Sequence, residues 1–177
     1  KEFHNLSAGI VLQAYLPDSY EAQQKLTIWA TKRVKNGGAP VKLRIVKGAN
    51  LAMEKVEASL HGWPQAPYKT KLEVDANYKR MLHFGCQKKN AECVHLGIAT
   101  HNLFEIAYAL LVRAREAVED YVELEMLEGM ANSQSRVVQG IAGGMLRYTP
   151  VVKKEGFHSA ISYLVRRMDE NTHEENF

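Results

Sequence analysis

The sequence predicts an α/β fold with a parallel sheet, on two observations. Short apolar or β-branched runs alternate with longer stretches of helical character along the whole chain, and caps and breakers stand where those helical stretches should start and stop. Parallel neighbours need a crossover long enough to return the chain to the same edge, and such crossovers are right-handed.

Taken in order, residues 8–14 (Ala8-Gly9-Ile10-Val11-Leu12-Gln13-Ala14) form the first strand. A helix over 19–35 follows, with Asp18 and Ser19 able to cap it and Gly37-Gly38 with Pro40 ending it. Residues 41–46 are the second strand. Helices over 54–60 and 73–84 come next; the second carries Tyr78, Met81 and Leu82, and Gly85 stops it. Strand 94–100 then leads to helix 103–116, strand 121–127 to helix 133–141, and strand 146–151 to helix 155–170. That final helix carries Phe157, Ile161, Leu164, Val165 and Met168 at helical spacing, a stripe suited to facing a sheet.

Composition bounds the rest. The 177 residues are 46% hydrophobic and 24% charged, enough to bury one core as a single domain over 1–177. Lys and Arg total 23 against 20 Asp and Glu, interspersed, for a formal charge of +3; no focused field for nucleic acid results. Cys86 and Cys93 match neither a zinc pattern nor a disulfide framework and read as reduced thiols of a cytoplasmic protein. No apolar run approaches the roughly 18 residues a membrane span needs, and Lys1 to Asn5 lack a signal-peptide pattern. Both ends look cut rather than natural.

Period-two geometry sorts the polar residues of the strands by face. Lys42, Arg44 and Val46 share one face; so do His95, Gly97, Ala99 and His101, where small residues leave room for something bulky. Gln13 lies with Val11 and Tyr15. Polar groups gathered at strand C-termini suit a barrel mouth, and an open doubly wound sheet uses the same end. A glycine-rich phosphate loop would favour the open sheet; Gly140, Gly143 and Gly144 follow a helix instead. Five strands do not close an eight-stranded barrel, which takes about 250 residues.

Five segments in order, Gln13-Ala14-Tyr15, Leu43 to Ala49, Ala99-Thr100-His101-Asn102, Tyr148-Thr149-Pro150-Val151 and Tyr163 to Asn171, resemble proline dehydrogenase. Gly48-Ala49-Asn50 and Glu125 to Asn132 look like the large bacterial proline-utilisation flavoproteins, in which this barrel precedes an aldehyde dehydrogenase module. The resemblance implies a partial (β/α)8 TIM-type barrel, strands four to eight plus the final helix. It implies FAD-dependent oxidation of L-proline to Δ1-pyrroline-5-carboxylate, with electrons passed to a quinone at the membrane surface. A cytoplasmic protein able to associate peripherally with the inner membrane follows, and a homo-oligomer is compatible. The alternative is a truncated, inactive piece of that barrel, lacking the first three strands and exposing sheet edges that invite association.

By the same resemblance, Arg166 and Arg167 grip the substrate carboxylate, as paired guanidinium forks can, while Tyr148 and Leu127 shape the pocket around the ring. Glu170, four residues after Arg166, can orient a guanidinium. Arg44 meets the flavin near the ring edge where negative charge develops on reduction; an edge-strand Arg reaching water is the competing explanation. Gln13, Val46, Gly48, Ala99, Thr100, His101, Asn102, Glu125 and Glu170 are implied cofactor contacts, with Thr70 and Phe177 on looser segments. Gly48 would let the backbone approach the cofactor, and a plain turn glycine competes with that. A lone strand-end histidine is most often structural, and no metal is expected at His101, because His95 lies six residues back along an extended strand. Two departures stand out: Asn50-Leu51 replace an aromatic pair common in relatives, and Glu125 stands where relatives often carry Gln.

Overall fold

The computed structural model of the chain describes residues 3–48 and 50–171, and the side chains of 169–171 lie outside that description. Five strands form one parallel sheet in the order β1-β2-β3-β4-β5: β1 Gly9–Gln13, β2 Val41–Val46, β3 Val94–Ala99, β4 Val122–Leu127 and β5 Leu146–Tyr148. Spatial order equals chain order, with no reversal. Helix α1 (Ser19–Lys35) joins β1 to β2, and α2 (Leu51–His61), α3 (Lys71–Cys86) and the single turn α4 (Lys88–Ala91) join β2 to β3. Helices α5 (Leu103–Glu116) and α6 (Asn132–Ala142) make the next two crossovers, and α7 (Phe157–Asn171) follows β5 after a 3-10 turn at Lys154–Gly156.

The expected strand and helix order stands, with four local differences. Helix α3 runs through Gly85 instead of stopping there: a Cβ at Gly85 would lie 2.8 Å from Leu96 Cδ2, so the glycine lets the helix settle onto β3. Asp18 occupies the N-cap of α1 without a side-chain cap; Ser19 Oγ instead donates to the Gln13 carbonyl at 2.5 Å. Strand β5 ends at Tyr148, because Pro150 has no N–H to extend the ladder. The turn α4 carries no periodic apolar pattern and was not expected; Asn90 Nδ2 donates to the Phe84 carbonyl at 2.8 Å and ties it to α3.

The sheet has two unlike faces. Val41, Leu43 and Ile45, then Val94, Leu96 and Ile98, then Val122, Leu124 and Met126 turn toward the helices and join Tyr78, Met81, Leu82, Ile106, Ala109 and Val112 in one core. Burying each such aliphatic side chain contributes about 1.5–3 kcal/mol, and this burial fixes the register. The alternate residues therefore have to face the other way, and they include the charged and polar ones, Lys42, Arg44, His95, Glu123 and Glu125. Among the described residues nothing pairs with the outer edge of β1, where Ile10 and Val11 are about half exposed. Among the described residues, no helix is long and apolar enough to cross a membrane.

Candidate functional site

Register places Arg44 beside Gly97, Ala99 beside Glu125 and Leu127 beside Tyr148. With Lys42, Val46, His95 and Glu123 they make a single polar face, opposite the helices.

The centre of that face is an ion ladder. Glu125, only 2% exposed, sits on β4 and reaches over β3 to β2. It can do so because Gly97 has no side chain: a Cβ there would lie 2.0 Å from Glu125 Oε1. Arg44 Nε donates to Glu125 Oε2, Lys42 Nζ stands 3.0 Å from Oε1, and Lys42 also pairs with Glu123. The Arg44 guanidinium carbon lies 4.9 Å from the ring centre of Tyr148. Two cations and two carboxylates thus offset one another, which answers the cost of burying Glu125. Sequence reasoning missed the part played by Lys42 and Glu123; the signal was available, since alternate residues on nearby strands carry opposite charges.

His101 lies just beyond β3. The Leu127 N–H donates to its Nε2 at 3.0 Å, so the ring is neutral and carries its proton on Nδ1. Nδ1 is buried and has no hydrogen-bond partner among the described residues. Burial holds the imidazole below its ordinary pKa of 6.5, which favours the same neutral form.

Beneath the loop, Lys47 is a hub. Its ammonium lies 2.6 Å from Asp75 and 2.7 Å from Glu105. Thr100 Oγ1 donates to the other oxygen of Glu105 at 2.9 Å, and Asn102 Oδ1 caps α5 by accepting from the Glu105 N–H at 3.1 Å. Burial opposes the Lys47 charge, yet the hydrogen bonds it donates to its two carboxylates outweigh it and raise the pKa. Burial likewise pushes Asp75 up, and Lys47 with Lys71 brings it below the ordinary value.

These parts enclose a cavity of about 180 Å³ at the C-terminal ends of β2, β3, β4 and β5. Arg44, Val46, Ala99, Thr100, His101, Glu125, Leu127, Tyr148 and Arg167 line it, together with Tyr163, Met126 and Met130, which sequence reasoning did not single out. Remaining expected contacts sit apart from the lining. Gln13 lies beside the Tyr15 hydroxyl. Gly48, at φ 120°, is required by Tyr15, whose ring would lie 1.9 Å from a Cβ there; the close approach is to a side chain of this chain. Thr70 closes a capping box with Glu73 at the start of α3. The Arg166 guanidinium faces the Met53 sulfur at 3.7 Å, away from Arg167 beside Tyr163. The Glu170 side chain and Phe177 lie outside the described residues.

What the cavity can hold follows from its donors. A fixed guanidinium, an unsatisfied buried imidazole N–H and an aromatic face suit a planar heterocycle with acceptor atoms and developing negative charge. A flavin ring fits that set. Among the described residues, no cluster of three His, Cys, Asp or Glu could hold a metal ion.

The family described as proline dehydrogenase matches residues 1–177. Among solved structures, Proline Utilization A (PutA) from Corynebacterium freiburgense is 52% identical with a TM-score of 0.90, over 97% of this chain and 18% of that one. PutA from Bdellovibrio bacteriovorus, described as inactivated by N-propargylglycine, is 36% identical with a TM-score of 0.86, over 99% of this chain and 18% of that one. A mutant PutA from Bradyrhizobium japonicum is 22% identical with a TM-score of 0.77, over 96% and 16%, and carries the fold alone. No curated protein matches. The chain therefore spans less than a fifth of the length of the solved proteins it resembles.

Proposed function

Because the chain belongs to the proline dehydrogenase family, we propose that it builds the flavin- and substrate-facing part of an enzyme that oxidises L-proline to Δ1-pyrroline-5-carboxylate. The single observation that carries this reading is the cavity at the strand C-termini, where Arg44, His101, Tyr148 and Arg167 converge from four separate elements. Sequential parallel order, without the reversal an open doubly wound sheet contains, supports an arc of a (β/α)8 barrel, strands four to eight. A single domain over 1–177 is part of the same proposal.

FAD would be held by Arg44 and by the Nδ1–H of His101, with Val46, Ala99 and Thr100 forming the wall of the cavity. When bound, it supplies the acceptor for the hydride that leaves the proline ring. Arg167 then holds the substrate carboxylate by charge-assisted hydrogen bonds, while Leu127 and Tyr148 exclude water around the ring. Arg166 joins that grip only by leaving Met53. Fixing the carboxylate sets the reacting carbon against the acceptor, and positioning of this kind supplies a large share of a catalytic barrier reduction. Gln13, Gly48, Thr70 and Asn102 act indirectly, through Tyr15, the start of α3 and the start of α5. Electron transfer to a quinone, a following aldehyde dehydrogenase module, a cytoplasmic location with peripheral membrane contact, and self-association belong to the same proposal for the whole protein.

A second reading, that this chain alone is inactive, is favoured by the size of the cavity. About 180 Å³ is below the roughly 300–1,000 Å³ of typical ligand pockets, and among the described residues nothing pairs with the β1 edge. Visible flavin absorbance tests the first reading, and its bleaching on addition of L-proline tests turnover. The full-length protein should bleach and the isolated chain should not; a full-length protein without flavin absorbance would defeat the enzyme reading.

A further inference from the structure

The ion ladder has a consequence for whatever binds against Arg44. The guanidinium is held on two sides, its Nε donating to Glu125 Oε2 and its face lying over Tyr148. Its terminal nitrogens make no hydrogen bond among the described residues, and the side chain lines the cavity. Glu125 therefore does two things at once. It fixes the direction in which Arg44 presents its free donors, and it places a buried negative charge directly behind them. Lys42 in turn partly offsets that charge through the other carboxylate oxygen at 3.0 Å.

From this geometry we infer that Glu125 is a positioning residue that acts through Arg44 and lowers the reduction potential of a flavin bound there. The inference rests on the flavin reading of the cavity. Reduction adds negative charge to the ring. A cation whose charge is already offset stabilises that added charge less than a bare cation would, and inside a protein such differences act across several ångströms. Removing the carboxylate must make reduction easier; removing Lys42, which exposes the carboxylate, must make it harder. The two changes have opposite signs although both break the same ladder, and a merely structural role would not separate them.

The test uses the full-length protein purified with its flavin, as wild type, Glu125→Gln and Lys42→Gln. Flavin content is read from absorbance, and midpoint potential from a spectroelectrochemical titration without proline. Glu125→Gln should shift the potential upward, so that the reduced-to-oxidised ratio at the wild-type midpoint rises on the order of tenfold. Lys42→Gln should shift it downward, and this variant alone decides the sign if Glu125→Gln does not fold. Stoichiometric flavin with unchanged potentials, or with both shifted the same way, overturns the inference. A wild-type protein that holds no flavin overturns the underlying reading instead.

Discussion

The backbone N–H of Leu127 donates to Nε2 of His101 at 3.0 Å, tying the end of β4 to the loop after β3 and settling which ring nitrogen keeps the proton. Nitrogen NMR of the imidazole should show the Nδ1–H tautomer at neutral pH. Because burial holds His101 below 6.5 when folded, the unfolded chain binds more protons between the two values. Stability from this group is therefore complete above the ordinary value and is lost as pH falls below it. His95, depressed by burial and by Lys42, adds to the same trend. The melting temperature should fall between neutral pH and about 5.5, and His101→Asn should flatten that fall. An unchanged pH profile in the variant would count against the assignment.

Gly97→Ala should destabilise the fold by about 1–3 kcal/mol, the usual cost of overpacking, since the new methyl would meet Glu125 Oε1 at 2.0 Å. Glu125→Ala in the same chain should recover part of that loss, so that the double mutant is less destabilised than the sum of the single ones in a double-mutant cycle read by urea denaturation. Strict additivity would show that Glu125 does not cross β3 at this point.

Lys47→Met leaves Asp75 and Glu105 facing each other without their shared cation, and should cost about 3 kcal/mol. The pH dependence has a definite sign. Asp75 is held below its ordinary 3.8, so its contribution is present above that value and disappears as pH falls through the folded one. Lys47 is raised above 10.5, so its contribution is lost only as pH rises past the raised value. Acid titration of wild type and variant by circular dichroism should converge at low pH; a gap that persists there would contradict the ion-pair account.

Thr70→Ala should lower stability by about 1 kcal/mol through loss of the N-cap of α3. Thr70→Ser should restore it, since the hydroxyl is what accepts the Glu73 N–H. If flavin affinity fell while the melting curve stayed in place, Thr70 would be a ligand contact and not a cap.

Much of the fold was legible because burial leaves a periodic trace. From Val41 to Ile45 apolar and polar residues alternate, and that pattern gave both the strand and the face on which Arg44 stands. The helical stretch over 103–116 matched α5, whereas the N-cap role of Asn102 showed only once its Oδ1 was seen to accept from the Glu105 N–H. Gly85 misled because a helix-breaking tendency is local while its contact with Leu96 is not: proximity to a strand decided the matter. In the site, the motif residues Arg44, His101, Tyr148 and Arg167 do meet, but the roles of Lys42, Glu123 and Lys47 depend on neighbours 28 or more positions away, as in Lys47 with Asp75. Arg166 and Arg167 show the same gap: adjacent residues on a helix point about 100° apart, so one faces the cavity and the other faces Met53.

Cys86 and Cys93 are buried free thiols, and burial pushes the Cys86 thiol up to about 12. In the folded molecule almost none of Cys86 exists as the reactive thiolate, and neither sulfur meets a bulky alkylating reagent. The rate at which such a reagent adds mass then counts how often the end of α3 and the start of β3 part. The chain thus carries its own gauge of local opening, with no label to introduce and no residue to replace.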